Sequence, residues 1–168
     1  MRRFFLWGAG AVVLLAAVSI GWIALAPTDP AGWHVDPVAA PDDGAANAWR
    51  LGPAGEPGSE AVAGWDAAAP VYDLDVGALA EAVDRGALGE PGTQRIAGGP
   101  QGLWVTYLQR SRWMRFPDDM PVRAMPIGGC CATLAIYSRA RFGQSDRGVN
   151  RARVERWLAA LGDVETGR

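Results

Sequence analysis

The chain has 168 residues and a formal net charge of −2, and 49% of its residues are apolar. All 16 basic residues are arginine, and the sequence contains one histidine, two cysteines and no lysine. Without lysine the chain can form neither a Walker-type phosphate loop nor a Schiff base. One histidine and one cysteine pair cannot complete a zinc site of the usual Cys/His kind. The sequence therefore predicts no metal site, no cofactor and no catalytic residue.

An uncharged apolar segment lies near the N-terminus, between Phe4 and Ala26. At about 1.5 Å per residue a helix of this length reaches roughly 35 Å, enough to cross a hydrocarbon core of about 30 Å. Arg2 and Arg3 precede the segment and acidic residues follow it, so the positive-inside rule places the N-terminus in the cytoplasm. We predict a single-pass protein of the cell inner membrane, with a cytoplasmic stub at 1–3, this transmembrane helix and a periplasmic remainder.

A cleaved signal peptide is the alternative interpretation of the same segment. Ala24-Leu25-Ala26 resembles an Ala-x-Ala cleavage site, but the apolar segment is longer than the roughly 7–15 residues usual for a signal peptide. Pro27 would occupy the first mature position, where we expect it to hinder cleavage. We therefore favour an uncleaved anchor and expect the membrane to be the partner of this segment. A nucleic-acid partner is not expected for a domain held outside the cytoplasm.

The segment at 27–72 is rich in proline and glycine, which supply 13 of its 46 residues. The stretch at 51–58 is unsuited to a helix and is poor strand material. Trp33, Trp49 and Trp65 distinguish the segment from a disordered chain, which is usually depleted in aromatic residues. We predict an extended segment that lies along the surface of the domain and is held there by these indoles.

The residues at 73–162 predict a folded domain, followed by a tail at 163–168. A helix, three or four antiparallel strands and a second helix indicate a small two-layer α+β domain with two flanking helices. Pro121 and Pro126 weaken one strand and place it at a sheet edge. The predicted elements are a helix at 76–85 capped by Asp75 and ended by Gly86, strands near 94–97 and at 103–110, 120–127 and 132–137, and a last helix capped by Asp146 and ended by Gly162.

The charges are unevenly distributed along the chain. Residues 27–100 carry 12 acidic residues and three arginines, whereas residues 101–168 carry six acidic residues and 11 arginines. The simplest expectation is that the acidic half packs on the basic half.

The two cysteines, Cys130 and Cys131, are adjacent. Neighbouring side chains on a strand point to opposite faces, and a ring closed between them is expected to be strained. We interpret the pair as two small buried residues in a strand, and an intermolecular disulfide or a redox role is the alternative.

Two stretches, at 111–119 and 137–151, carry most of the polar pattern of the domain. Together they resemble the signature of a bacterial and plastid family called domain of unknown function 1499. In that family a Phe-x-Asp-Asp-like turn precedes a strand, and a Ser-x-Ser/Ala-Arg-x-Gly-x-Ser-Asp-x-Gly-x-Asn-Arg run leads into a C-terminal helix. The resemblance covers about residues 71–161 and implies no activity, because none is established for the family. The residues at the family's spacing are Arg141, Gly143, Ser145, Asp146, Gly148, Asn150, Arg151 and Arg153, and Gln144 stands where an aromatic residue is expected.

Two interpretations of these stretches remain open. Arg139 and Arg141 share one face if the strand persists to them. The N-terminus of the last helix favours an anion, which is either a bound ligand or the carboxylate of Asp146 itself. The acids of the predicted turn either neutralise the arginines in a structural network or border a site for a carboxylate or phosphate. An acid/base pair is disfavoured, because adjacent side chains diverge. The candidate ligand-binding residues are Asp118, Asp119, Arg139, Arg141, Ser145, Asp146, Asn150 and Arg153.

Two functional hypotheses follow. The first is a non-catalytic, membrane-anchored extracytoplasmic domain that binds a partner protein or another envelope component. The alternative is a protein that binds a small anionic ligand, or an enzyme, through the arginine-rich loop and the Asp118–Asp119 turn. His34 follows the apolar segment and reaches such a site only if its segment folds back onto the domain.

Overall fold

A computed structural model describes residues 2–40, 44–53 and 64–165 of the chain. Its first helix, α1 (Arg2–Ala24), has 23 residues. The window Trp7–Ala24 has a mean hydropathy of 1.9 and none of it is buried. Within the described residues α1 is the one helix long and apolar enough to cross a membrane, a property that it shares with signal sequences. The first residue of the predicted stub and the last three of the predicted tail lie outside the described residues.

A six-stranded sheet forms the centre of the domain, with the strands in the spatial order β2-β1-β6-β5-β4-β3. Neighbouring strands are antiparallel except β1 and β2, which are parallel. The mixed α+β class is confirmed, but three or four strands is too few, because the Pro/Gly-rich segment contributes two. The strands are β1 (Ala48–Pro53), β2 (Ala67–Ala69), β3 (Thr93–Gly99), β4 (Trp104–Arg110), β5 (Pro117–Ile127) and β6 (Cys131–Ala140).

Strand β1 includes the start of the stretch predicted to be poor strand material; the rest of that stretch, 54–58, lies outside the described residues. Its pairing with β6, in which Arg50 lies opposite Tyr137, overrides the weak local propensity. Pro53 is the last residue of the strand, where a missing N–H is tolerated. Gly52 is required, because an added Cβ would lie 2.1 Å from the Trp65 ring.

Strand β5 lies between β4 and β6, so the prediction that it forms an edge is wrong. Pro121 pairs with Thr106 of β4. On the other side the β5–β6 ladder is interrupted between the pairs Asp119–Arg139 and Val122–Ile136. Pro121 falls within that interruption, where the N–H that it lacks is not needed, so proline is accommodated inside the sheet.

Two helices, α3 (Val76–Gly89) and α4 (Val149–Glu165), pack on one face of the sheet. Asp75 caps α3 as predicted, accepting hydrogen bonds from the N–H groups of Gly77 and Ala78. Both helices continue beyond Gly86 and Gly162, the glycines predicted to end them. In α3 the residue after the glycine, Ala87, is buried in the core, and its packing outweighs the low helix propensity of glycine. The largest core side chains include Leu79, Tyr107, Met120, Leu134, Ile136, Val154 and Trp157.

The opposite face of the sheet is covered by residues 25–40, which we call the strap. The strap leaves the end of α1 and contains one short helix, α2 (Pro30–Trp33), capped by Asp29. Pro37 and Ala40 are buried, and Trp33 and His34 are half-buried. The segment after α1 therefore does lie along the domain surface in this region, and it covers the sheet face that the helices leave open.

The interpretation of the cysteines as two small buried residues in a strand is wrong. Cys130 and Cys131 are joined by a disulfide, and Cys130 is exposed. Cys130 belongs to the turn that begins at Gly128, which has a φ of 58°, whereas Cys131 is the first residue of β6. The alternation of strand side chains therefore does not apply to this pair.

Candidate functional site

The predicted Asp118–Asp119 turn is the beginning of strand β5. Successive strand residues point to opposite faces, so Asp118 points toward the helices and Asp119 toward the strap. Both side chains are buried, and Asp119 is 0% exposed. The two carboxylates diverge as the sequence predicts, and each enters a separate polar network.

On the helix side, Arg153 of α4 is surrounded by acceptors from three strands, β4, β5 and β6, and from α4 itself. Its Nη2 donates to Asp118 Oδ2 at 2.5 Å, and its Nε donates to Gln109 Oε1. Its Nη1 donates to Asn150 Oδ1 at 2.6 Å and to Ser138 Oγ at 3.2 Å. Burial raises the pKa of Asp118, and the charge and hydrogen bond of Arg153 oppose that shift. All three guanidinium nitrogens are thus engaged within the chain.

On the strap side, the Arg141 guanidinium makes a two-pronged contact with Asp119. Nη2 donates to Oδ1 at 2.7 Å and Nε donates to Oδ2. The remaining nitrogen, Nη1, donates to Thr28 Oγ1 at 3.1 Å and to the carbonyl of Pro27 at 3.4 Å. Burial raises the pKa of Asp119, and Arg141 and Arg139 oppose it. The Arg141 side chain is only 3% exposed, so its cation is closed off by the protein itself.

Arg139 and Arg141 share one face, as the spacing predicts, and both lie against the Trp33 ring at 4.7 and 4.4 Å from its centroid. The contacts continue along the sheet, since Tyr137 lies 5.0 Å from Arg139 and 5.2 Å from Arg50. We call this alternation of cations and rings the cation–aromatic column. Its members in spatial order are Trp65, Arg50, Tyr137, Arg139, Trp33 and Arg141.

The beginning of α4 is occupied by the side chain of Asp146. Its Oδ1 accepts from the N–H of Gly148 at 3.0 Å and its Oδ2 accepts from the N–H of Asn150 at 2.7 Å. The carboxylate therefore stands where a bound anion would neutralise the helix N-terminus. Ser145 is exposed and accepts from the N–H of Arg147 at 3.3 Å.

The predicted site residues do not line one cleft. One group surrounds Arg153 and includes Asp118 and Asn150, which is 0% exposed. The second group contains Asp119, Arg139 and Arg141 on the other face of the sheet. Ser145 and Asp146 lie at the start of α4. The sheet separates the first two groups, so the candidate site divides into a helix-side network and a strap-side network.

The most informative residue absent from the predicted set is Arg110, the last residue of β4. Its Nη1 donates to the carbonyl of Ala24 at 2.6 Å, and its Nη2 donates to the carbonyl of Ala26 at 3.2 Å. These carbonyls end the apolar helix, where a cation is favourable. Further along the strap, Arg123 forms an ion pair with Asp36, and Arg50 donates to the carbonyl of Ala40.

The alternation of the sequence carried a signal for this surface. Arg139 and Arg141 are two residues apart, although they lie just beyond the strand predicted at 132–137. In the structure Arg110 and Arg123 lie on the same face as this pair. A face of arginines needs acceptors and rings to cover it. The segment at 27–40 supplies both. Sequence reasoning predicted that Trp33, Trp49 and Trp65 hold their segment, and each of these rings does contact an arginine.

His34 does reach the domain through the strap. Its ring stacks on Trp104 with a centroid distance of 3.9 Å, and its Nδ1 lies 2.8 Å from Thr106 Oγ1. Burial lowers the pKa of His34 below its ordinary value. Through these contacts His34 holds the strap against β4.

A further buried acid, Asp84 of α3, is also satisfied within the chain. It accepts from the hydroxyl of Tyr107 at 2.9 Å and from Arg95 Nη2 at 2.5 Å. Burial and the neighbouring Asp84 raise the pKa of Tyr107. This contact joins α3 to β3 and β4 beneath the helices.

The expected packing of the acidic half on the basic half is only partly found. Arg123 pairs with Asp36, and Arg156 pairs with Glu90, across that boundary. The two most buried ion pairs, by contrast, lie entirely within the basic half, because β5 carries its own acids opposite β6 and α4.

Two cavities accompany these networks. One of about 450 Å³ lies between α3 and α4, with an apolar wall that includes Val83 and Trp157. The other, of about 380 Å³, lies beside β1 and the start of α4 and is bordered by Arg50, Tyr137 and Arg151. Among the described residues no cluster of histidine, cysteine or acidic side chains fits a metal ion.

A protein-family model described as "Protein of unknown function (DUF1499)" matches residues 66–161. The match spans more than half of the chain and contains both buried Asp–Arg pairs. The chain belongs to the DUF1499 family. No curated protein and no solved structure matches it. The matched residues begin after α1, the strap and β1. They include Arg139 and Arg141, whereas partners of these arginines such as Thr28 and Trp33 precede the match.

Proposed function

We propose that this DUF1499 protein is a single-pass membrane protein. In this proposal α1 is retained as an anchor, and the domain is a non-catalytic module held against the extracytoplasmic surface of the membrane. There it binds a partner protein or another component of the envelope. The proposal combines the predicted membrane topology with the contacts that fix the chain just after α1.

The contact between Arg110 and the end of α1 carries this proposal. A freely swinging domain needs a flexible linker. Here the backbone is fixed from the first residues after α1, because Arg110 binds the carbonyls of Ala24 and Ala26. Arg141 binds the next carbonyl, that of Pro27, and Trp33 packs between two arginines. This direct attachment favours a domain with a set position relative to the anchor.

The closure of the arginine networks supports a non-catalytic role for the motif residues of this chain. A site for an anionic substrate needs a cation with unfilled donors that a ligand can reach. Arg141 and Arg153 instead donate from every guanidinium nitrogen to acceptors of the same chain. Asp146 likewise fills the N-terminus of α4. These residues therefore stabilise the fold in the proposed function.

The test of the anchor uses the full chain expressed in its membrane. Intact mass after purification is expected to include residues 1–26, and the protein is expected to resist alkaline carbonate extraction. In spheroplasts, protease should remove an epitope placed at the C-terminus and spare one placed at the N-terminus. A mature chain that begins at Pro27 contradicts the proposal. So does a protease result in which the C-terminal epitope is protected and the N-terminal epitope is removed.

The test of the binding role uses photo-cross-linking in intact cells. A cross-linker placed on the exposed outer surface of the domain, for example at Arg85, is expected to give a discrete adduct. The matched control carries the same group at Trp7 within α1. If the two positions, Arg85 and Trp7, give adducts of the same mass, or if Arg85 gives no adduct, the proposal that the folded domain binds a partner is contradicted.

A second candidate function is the binding of a small anion in the cavity beside β1. Arg50 is only 7% exposed, its Nη2 donates to the carbonyl of Ala40, and its buried Nε and Nη1 have no hydrogen-bond partner among the described residues. Arg151 borders the same cavity. Titration calorimetry of the full chain with citrate and with inorganic phosphate tests it. Arg50→Met should abolish the binding signal while Arg85→Gln preserves it, and the absence of binding to the wild-type chain contradicts this candidate.

A further inference from the structure

The loop between β4 and β5, residues 111–116, presents two large apolar side chains to the solvent. Trp113 is 87% exposed and Met114 is 51% exposed. Arg112 and Arg115 flank them and are also exposed. An exposed indole with an exposed thioether beside it offers an apolar contact to another surface.

The loop is a defined structure despite this exposure. The N–H of Ser111 donates to the carbonyl of Phe116 at 2.9 Å, and the N–H of Arg115 donates to the carbonyl of Ser111 at 3.0 Å. The N–H of Phe116 donates to Ser111 Oγ at 2.9 Å. Arg115 adopts a left-handed φ of 54°, which closes the turn. The backbone therefore holds the Trp113 ring outward rather than folding it onto the domain.

A single guanidinium connects this loop to the end of the apolar helix. Arg110 Nη1 donates to the carbonyl of Ala24 at 2.6 Å and to the carbonyl of Arg115 at 3.2 Å. Ile23 and Ala24 are half-buried, unlike most of α1 before them. If α1 spans a membrane, the loop consequently lies where the helix leaves the hydrocarbon core.

A second apolar side chain lies at the same edge of the sheet. Phe142, in the loop after β6, is 38% exposed. The two loops are adjacent, because the N–H of Arg141 donates to the carbonyl of Pro117 at 3.3 Å. Arg147 adds an exposed cation to this edge. The edge thus combines aromatic rings with arginines, the pairing found where proteins enter a membrane interface.

We propose that the β4–β5 loop is a second membrane contact, which inserts Trp113 into the lipid interface beside α1. Indole rings favour the headgroup region, and the guanidinium groups of Arg112 and Arg115 bind the phosphates of anionic lipids. The partner is therefore a lipid surface that carries anionic headgroups. This inference rests on the proposed function, since it requires α1 to span the bilayer.

Fluorine NMR of the full chain labelled with fluorotryptophan tests the insertion. The protein is placed in nanodiscs of phosphatidylcholine mixed with phosphatidylglycerol, and the resonances of Trp7, Trp22 and Trp113 are assigned by Trp→Phe substitution at each position. A doxyl-labelled lipid is expected to attenuate Trp113 as strongly as Trp22. An aqueous gadolinium chelate is expected to leave Trp113 largely unaffected.

The outcomes separate this inference from the proposed function. If Trp7 and Trp22 respond to the doxyl lipid while Trp113 responds to gadolinium, the loop does not enter the interface and the anchor still stands. If neither Trp7 nor Trp22 responds to the doxyl lipid, the proposed function fails and the inference fails with it. Attenuation of all three rings by the lipid probe supports both.

The arginines of the loop are tested in the same nanodiscs. The double variant Arg112→Gln/Arg115→Gln is expected to reduce the lipid-induced attenuation of Trp113 at least about two-fold when phosphatidylglycerol is present. The reduction should be smaller in pure phosphatidylcholine. Arg85→Gln, which removes an exposed arginine of α3, should leave the attenuation unchanged. Equal attenuation in wild-type and double-variant protein overturns the proposed recognition of anionic lipid.

Discussion

Arg141 and Asp119 form an ion pair that is almost completely enclosed by the protein, with exposed side-chain fractions of 3% and 0%. The pair joins the loop that follows β6 to strand β5, and Arg141 also reaches the strap through Thr28. Burying two charges is costly, and the two-pronged geometry with its additional hydrogen bonds offsets that cost. The pair therefore makes the position of the strap depend on the interior of the sheet.

Removing the cation of this pair should destabilise the fold strongly. Arg141→Leu leaves the buried Asp119 carboxylate unpaired, and we expect a loss of about 3–5 kcal/mol in the free energy of unfolding. The measurement is chemical denaturation of the full chain in detergent, followed by near-UV circular dichroism. Arg151→Leu, which removes an exposed pair with Glu155, should cost no more than about 1 kcal/mol. The double variant Asp119→Leu/Arg141→Leu should recover much of the loss, and a double variant as unstable as Arg141→Leu contradicts this explanation.

The single histidine allows a direct test of the strap. Because burial lowers the pKa of His34, the NMR titration of its ring is expected to give a value below 6.5. As the pH falls through 6.5, the unfolded chain takes up a proton that the folded chain does not, so stability falls. His34→Phe keeps a ring on Trp104 and should remove this part of the pH dependence. A titration at or above the ordinary value contradicts the packed position of the ring.

The close approach of Trp65 to β1 should be sensitive to a single methyl group. Gly52→Ala places a Cβ 2.1 Å from the indole, which must move away from its contact with Arg50. We expect a loss of about 1–3 kcal/mol in thermal or chemical unfolding. Gly86→Ala is the matched control, since nothing lies within 4 Å of the added Cβ in this exposed helical position. That control should be neutral or stabilising by about 0.5–1 kcal/mol, and equal effects at both glycines would argue against the packing of Trp65.

The attachment of the strap can be separated from the stability of the sheet. Trp33→Leu removes the ring between Arg139 and Arg141 while keeping an apolar side chain. Hydrogen exchange of the full chain is expected to show faster exchange of strap amides, such as those of His34 and Ala40, with β4–β6 unchanged. Trp113→Leu, at an exposed ring, serves as the control and should leave strap exchange unchanged. Uniformly faster exchange in Trp33→Leu contradicts an independent role for the strap.

The helices and their caps were predictable because their signals are local. Asp75 stands directly before α3 and caps it as predicted. Asp146 lies three residues before the start of α4 rather than directly before it, but its carboxylate does accept from the N–H groups of Gly148 and Asn150. The divergence of Asp118 and Asp119 followed equally from the two-residue period of a strand. The C-terminal ends of the helices could not be predicted in this way, because the packing of a buried residue such as Ala87 continues α3 past Gly86.

The sheet could be predicted only in part because its outer strands depend on distant pairing. Strand β1 contains Gly52 and Pro53, and its hydrogen bonds to β6 decide its conformation. The inner position of β5 likewise depends on a ladder interruption at Pro121, which the sequence does not reveal. The polar networks were harder to predict than the strands, because their partners are far apart in sequence. Arg110, for example, donates to carbonyls at the end of α1 that are 84 and 86 positions away along the chain.

The strand order has a consequence for any attempt to isolate the domain by its family boundaries. Strand β2 falls inside the match at 66–161, but its parallel neighbour β1 precedes it. A fragment cut at residue 66 would lose an internal strand, leave β2 without its parallel partner and uncover the buried side chain of Tyr137 and the half-buried side chain of Arg139. The family match and the sheet therefore begin at different points of the chain. Recombinant work on this protein has to keep at least β1, and the strap before it, with the domain.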